Sequence, residues 1–229
     1  DQNCIYSTDR TNVHIDVDRV TGSGGDGVFM ANATDCSVRV GKGDDTALNG
    51  ILWTYTGSGS VTRCATHDSF IDRSDSAAND QGCIKYAKSG SATGQIVGCA
   101  IVNCRVKMHN APTGSGVGPI EIWGAGTRNR IVACDVEGGA IGISVANGQS
   151  HTAVVCNTVY DVSDIGLEIA DSTHCTVTGN VVDGNGNTVM GISIDGATSD
   201  EKNAAVVGNT ILDVSDKGIS FYVVAPNSN

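Results

Sequence analysis

The sequence predicts an all-β solenoid, a parallel β-helix of about nine coils of ~23 residues forming one domain over residues 1–229, and three observations predict it. The first is composition: 30 Gly against 3 Pro, aromatics at only 4%, and Val, Ile, Thr, Ser, Asn and Asp supplying most of the rest. β-Branched residues pack well on pleated surfaces, while Gly, Asn and Asp suit tight polar corners. The second is that no segment keeps a helical apolar period over three or more turns. The third is a short repeated word.

That word reads G-h-x-h, with h apolar. It opens at Asn3 (NCIY), Gly27 (GVFM), Gly50 (GILW), Cys83 (CIKY), Pro119 (PIEI), Gly142 (GISV), Gly166 (GLEI), Gly191 (GISI) and Gly218 (GISF), at intervals of 24, 23, 33, 36, 23, 24, 25 and 27 residues. A second apolar word precedes most of these: QIVGCAIV, RIVACDVE, AVVCNTVY, TVTGNVVD and AVVGNTIL, with weaker copies NVHIDVDRV, CSVRVGKG and VTRCATHDSF. A unit this small cannot bury its own apolar face and is stable only when stacked on neighbours. Leucine-rich repeats have a similar length, but their L-x-x-L-x-L-x-x-N spelling is missing, and propeller blades need about 40 residues per unit. One unit per coil, with strands stacked ~4.8 Å apart, makes a rod roughly 40 Å long.

The words GNxVxD…GIxI resemble those of the right-handed parallel β-helix superfamily of pectate lyases, alginate epimerases and phage tailspikes, over essentially the whole chain. The resemblance implies a single-stranded right-handed parallel β-helix. It implies no single function, because such folds host lyases, hydrolases, epimerases and bare adhesins.

Alignment of the words places Cys64, Cys99, Cys134 and Cys156 in one column, continued by Gly179 and Gly208. A core thiol stack is expected there, since free Cys behaves as a small apolar residue. Asn157, Asn180 and Asn209 form a second column with Asp135 in line, a ladder that satisfies backbone groups left open at a corner. In the coil from Thr173 to Gly196, Val177, Val181, Ile192 and Ile194 are expected inside. The nine cysteines cannot all pair, none lies in a CxxC, and no Cys/His spacing resembles a zinc site, so buried free thiols are expected. The first word starts at Cys4 and the last ends near Val224 without an amphipathic cap. The expectation is a piece of a longer protein, or ends covered by neighbours.

Within each word the h residues point inward, so x and the residue after the second h face out. One outward row then reads Phe29, Leu52, Lys85, Glu121, Ser144, Glu168, Ser193, Ser220, and the next reads Ala31, Thr54, Ala87, Trp123, Ala146, Ala170, Asp195, Tyr222. Carboxylates beside an aromatic platform suit sugar binding, because a ring offers an apolar face to pyranose C–H groups. Lys85, Trp123, Asp195 and Tyr222 are therefore taken as substrate-binding residues on an exposed face. His109 joins them because it opens one of two long insertions, "DRSDSAANDQG" (72–82) and "HNAPTGSGVG" (109–118), that fall just before the outward strand. Insertions on one side of a solenoid commonly build its binding face.

Glu121 and Glu168 are the candidate catalytic pair. They lie two coils apart, so their Cα atoms are ~9.6 Å apart on the stacking spacing, against about 6.5–9.5 Å between the carboxyls of inverting glycosidases. Lys85 beside Glu121 reads equally as a cross-strand ion pair of little energetic weight. The Ca²⁺-binding Asp clusters with an Arg or Lys base, and the YGxDPHD motif, that the resemblance would bring for lyases and epimerases are both missing. His67 beside Asp68, in CATHDSF, lacks a readable partner constellation. VDGNGNT (182–188) starts like a calcium loop but has Ile194 at the twelfth position, and it reads as a turn. GKGDD (41–45) and GSGGDG (22–27) read as corners. No metal site and no cofactor is expected.

A net charge of −11 argues against nucleic-acid partners and an anionic membrane surface, and no apolar run is long enough to span a bilayer. The leading expectation is a carbohydrate-contacting domain of a phage tailspike or tail-fibre receptor-binding protein, at the virion tail surface or outside the cell. Unpaired cysteines fit assembly in a reducing cytoplasm. Its partner is a bacterial surface polysaccharide, bound and in one version cleaved, and its parent a homotrimer. The alternatives are a secreted bacterial polysaccharide lyase, hydrolase or epimerase, and a non-catalytic structural or adhesin β-helix.

Overall fold

The structure, a computed structural model, describes residues 3–44, 46–73, 82–109, 118–196 and 203–223. Among them every strand pairing is parallel; two long sheets run along the rod, and a third, four-stranded sheet joins them in the central coils. The front sheet has nine strands: Ile5–Thr8, Val28–Ala31, Ile51–Tyr55, Ile84–Lys88, Ile120–Trp123, Ile141–Ala146, Ile165–Ala170, Met190–Gly196 and Lys217–Val223. Each is built on one copy of the word. Their register is unbroken: Val28, Ile51, Ile84, Ile120, Ile143, Leu167, Ile192 and Ile219 stack in one inward column. The word opens with Gly because the next coil passes too close for a side chain. A Cβ at Gly166 would lie 2.4 Å from Val182 Cγ1 and 2.6 Å from the Gly191 carbonyl oxygen.

The first word is shifted by one residue from the sequence expectation. Ile5 pairs with Val28 and Tyr6 with Phe29, so Tyr6 points outward and Ser7 takes an inward place. A polar residue at that inward position makes the apolar pattern read one step early.

After the front sheet each central coil crosses a small four-stranded sheet (Val61–Thr62, Ile96–Val97, Gly126–Thr127, Gln149–Ser150) and then traverses the back sheet in two strands. Two bends, each with a left-handed residue, separate these pieces. At the first bend stand Asn12, Asp35, Arg63, Gly98, Arg128, His151 and His174, with φ from 51° to 65°. At the second stand Asp68, Asn103, Ala133, Cys156, Gly179 and Gly208, with φ from 48° to 66°. The residue after each left-handed position turns inward, so the two bends carry two separate interior columns.

This divides the expected cysteine ladder. Cys36, Cys64 and Cys99 stack at the first bend, followed by Asn129, Thr152 and Cys175. Cys104 and Cys134 stack at the second bend, in line with Asn157, Asn180 and Asn209. Each thiol of these two columns leans back onto the carbonyl two residues earlier, as Cys64 does to Thr62 at 3.3 Å and Cys134 to Val132 at 3.4 Å. Cys156 is itself a left-handed residue and exposed, in the column of Gly179 and Gly208. Asp135 lies one residue beyond the Asn column, which Cys134 occupies instead. The same change of facing puts Val182, not Val181, inside the Thr173–Gly196 coil.

All nine cysteines are free, and only Cys4 and Cys156 are exposed. The hydrogen-bonded neighbouring thiol and burial push the Cys64 and Cys104 thiols up, which keeps them protonated and unreactive. We therefore expect two thiols to react with an aromatic disulfide reagent in the native protein and all nine in denaturant. A native count above two, or thiols missing in pairs after denaturation, would contradict this packing.

The Asn column is a continuous ladder. Asn157 donates its N–H and its Nδ2 to Asn180 Oδ1, both at 2.9 Å, and Asn180 repeats both bonds to Asn209 Oδ1, again at 2.9 Å. A second ladder, unforeseen from sequence, stands at the corner before the front sheet. Asn3 accepts from Asp26 N, Asp26 from Asn49 N and Nδ2, and Asn49 from Gly82 N, at 2.7–2.9 Å. The dipeptides DG at 26–27 and NG at 49–50 were its signal. The core between the sheets is mainly aliphatic, with Tyr55 and an aromatic pair, Trp53 stacked on Tyr86 at 5.6 Å, and Trp53 Nε1 donates to Thr66 Oγ1 at 2.8 Å.

Candidate functional site

Strand alternation turns alternate residues of the front sheet out of the core. The two expected outward rows are both in register. Phe29, Leu52, Lys85, Glu121, Ser144, Glu168, Ser193 and Ser220 form the first, and Ala31, Thr54, Ala87, Trp123, Ala146, Ala170, Asp195 and Tyr222 form the second. Lys85, Glu121, Trp123, Glu168, Asp195 and Tyr222 thus share one face.

The middle of that face is more closed than a solvated sheet surface. Lys85 and Glu121 are only 6% and 5% exposed, and Lys85 Nζ lies 2.8 Å from Glu121 Oε2. The other oxygen, Oε1, accepts from the Gly118 N–H at 2.8 Å. The expectation of a weak surface ion pair is therefore corrected. At this burial, charges out of water depend on one another, and neither can be removed cheaply.

Glu168 lies one further step along, beyond Ser144, whose hydroxyl donates to Glu168 Oε2 at 2.7 Å. Burial holds its carboxyl above the ordinary range against the Ser144 hydrogen bond, and the nearby carboxylates of Asp195, Glu121 and Asp164 push the same way. The row therefore carries two carboxyls with different partners. Glu121 is engaged by an ammonium and an amide, while Glu168 is biased toward holding a proton.

Trp123 stands beside this row, 37% exposed, with Lys88 Nζ 5.6 Å from its ring centroid. Toward the N-terminal coils the face becomes aromatic, as Tyr6 and Phe29 stack at 4.8 Å with an interplanar angle of 7°. A cleft of about 270 Å³ lies between, bordered by Phe29, Leu52, Thr54, Lys85 and Lys88. Tyr222, at the other extreme, is 61% exposed. The one-residue shift of the first word hid Tyr6 from the sequence reading.

His109 is not brought to this face. Its Nε2 lies 2.8 Å from Asp72 Oδ1, and it borders a separate cleft of about 400 Å³ with Lys107, Glu137 and Asp161 at the corner behind the back sheet. The parts of the two long insertions at 74–81 and 110–117 lie outside the described residues. His67 pairs only with its neighbour Asp68 among the described residues, at 3.0 Å. The DGNGN corner is a turn: Asn185 N donates to Asp183 Oδ1 at 3.1 Å, and Asn187 N to the Gly184 carbonyl at 2.8 Å.

A family model described as a right handed beta helix region matches residues 49–228. Among solved structures, the chain is similar to the A-module of the mannuronan C-5 epimerase of Azotobacter vinelandii, at 12% identity and a TM-score of 0.40, covering 96% of this chain and 79% of that one. It is also similar to the catalytic unit of a thermostable α-1,3-glucanase from Streptomyces thermodiastaticus, at 13% identity and a TM-score of 0.33, covering 85% of this chain and 50% of that one. No curated protein matches it in sequence.

Proposed function

The chain belongs to the right-handed β-helix family, and from that premise we propose that its front face binds a bacterial surface polysaccharide. The observation that supports this most is the in-register row of Lys85, Glu121, Ser144 and Glu168, flanked by the half-exposed Trp123 ring. Hydrogen-bonding groups at one-coil spacing match a polymer laid along the rod, and the ring supplies the apolar platform that a pyranose face needs. The setting we propose is a phage tailspike or tail fibre at the virion tail surface, trimeric through a larger parent. Nine free thiols fit assembly in a reducing cytoplasm.

A second reading, cleavage of the bound chain, is favoured by the carboxyls. Burial raises the Glu168 carboxyl, the direction a general acid needs, and Glu121 stands in the same row with Lys85 Nζ 2.8 Å from its Oε2. Incubation with a panel of bacterial capsular and O-antigen polysaccharides separates the readings. New reducing ends without unsaturated-uronate absorbance would mean hydrolysis, and Glu168→Gln should then lower kcat at least about 100-fold. Binding without product in the wild type restricts the face to recognition. No binding to any member removes both readings.

Glu168 also has a stability signature. Its folded-state pKa is raised, so its contribution is fully present below the unfolded value and is lost as pH rises through the folded one. Glu168→Gln should therefore raise Tm at pH 7 by on the order of 2 °C and leave it unchanged near pH 4. Thermal melts at the two pH values check the sign.

A further inference from the structure

The first bend carries side chains that its geometry does not favour. A left-handed residue is nearly free of cost for Gly and tolerable for Asn or Asp, but strained for longer side chains. The second bend largely obeys this, with Asp68, Asn103, Gly179 and Gly208. The first bend instead holds Arg63 (φ 51°), Arg128 (φ 59°), His151 (φ 52°) and His174 (φ 55°), although Gly98 in the same column shows that Gly fits. Strain retained at a series of basic residues points to a use for their side chains.

Their partners sharpen this. Arg63 is neutralised by Asp35 in two hydrogen bonds of 2.6 Å. The Arg128 guanidinium, by contrast, makes no ion pair or hydrogen bond among the described residues, in a chain of net charge −11. His151 stacks on His174 at 4.9 Å with an interplanar angle of 5°, one coil further on. Arg128 and His151 border a cleft of about 340 Å³ together with Gln95, Thr127 and Ser150. The Ser150 hydroxyl donates to the Gly126 carbonyl at 3.4 Å, which leaves a guanidinium, an imidazole, an amide and the Thr127 hydroxyl as a donor-rich wall, and such a wall suits an oxyanion, above all one that a guanidinium can grip with two bonds. The cleft lies on the same coil as Trp123, five residues further along the chain and around the edge of the front sheet.

We propose that this edge cleft binds the anionic substituent, a carboxylate or sulfate ester, of an acidic glycan, with Arg128 as its principal ligand. The inference rests on the glycan reading of the front face for the polymer, and on the cleft alone for the anion. It makes the preferred polysaccharide an acidic one, despite the negative charge of the chain as a whole.

Titration of the whole chain with glucuronate, inorganic sulfate and, as an ionic-strength control, chloride tests it, read by the imidazole C–H resonances of His151 and His174. Saturable shifts with glucuronate or sulfate, weak with chloride and lost in Arg128→Gly, are expected, and the responding anion identifies the substituent. The glycine variant relieves backbone strain, so its Tm should match or exceed that of the wild type and loss of fold does not enter. Absence of saturable shifts, a chloride response of equal size, or an unchanged response in Arg128→Gly would overturn the site. A second arm compares acidic and neutral hexasaccharides. Arg128→Gly should weaken the acidic ligand at least about 10-fold and leave the neutral one unaffected, whereas Trp123→Ala should weaken both. Failure of the front-face reading appears as hexasaccharides that do not bind, and failure of the edge cleft as acidic binding indifferent to Arg128.

Discussion

Lys85→Met is expected to destabilise the protein by about 3–5 kcal/mol, the cost of leaving a buried carboxylate without its ammonium. Glu121 is 5% exposed, and the Gly118 amide would be the remaining described group at hydrogen-bond distance. On this chain length the loss corresponds to a fall in Tm of roughly 10 °C. The double variant Lys85→Met/Glu121→Leu should recover most of it, because an apolar pair of similar volume avoids the desolvation of both charges. The cycle is read by denaturant or thermal melts. If Lys85→Met melts within about 2 °C of the wild type, the pair carries the small weight of a surface ion pair.

Asn180→Ala should be of similar size, for a different reason. The Asn180 side chain accepts from the N–H and the Nδ2 of Asn157, and its own Nδ2 donates to Asn209 Oδ1 and to the Val154 carbonyl at 3.0 Å. Truncation leaves several buried polar groups unpaired at about 1–3 kcal/mol each, and a total near 4 kcal/mol is expected after relaxation. The damage should spread along the stack rather than stay local, since each rung holds the amide of the one before. Hydrogen exchange measures this: the Asn157 amide loses its acceptor directly, and the Cys134 amide, which donates to Asn157 Oδ1 at 2.9 Å, should lose protection with it. An Asn180→Ala variant with unchanged exchange at Cys134 would show that the ladder is a row of independent corners.

The front sheet was legible because its spelling and its geometry repeat together. Gly before an apolar–x–apolar word is needed where the next coil passes within van der Waals contact, as at Gly166, and eight of the nine words, in register, define the outward rows directly. The bends were not legible in the same way. Both contain an apolar pair, a left-handed residue and a small inward residue, so QIVGC at the first bend and RIVAC at the second read alike although they lie at different corners. Left-handed positions filled by Arg63, Ala133, Cys156 and His151 removed the Gly or Asn mark that would have told them apart. Within the site, the row positions of Lys85, Glu121, Glu168 and Trp123 followed from the repeat. The burial of the Lys85–Glu121 pair did not, because it depends on what packs over the strand face, and neither did the placing of His109, because it depends on the corner that follows the strand Arg105–Met108.

The Trp123 ring is where the glycan reading of the front face is most exposed to refutation. It is half-exposed beside the charged row, and nothing in the core depends on it, so its removal should leave the fold intact. Titration calorimetry with a polysaccharide fragment that binds the wild type, repeated on Trp123→Ala at unchanged Tm, measures its contribution directly. The account predicts a loss of about 2 kcal/mol, roughly 30-fold in Kd. Equal affinity in the two proteins would contradict it and remove the front face as the binding surface.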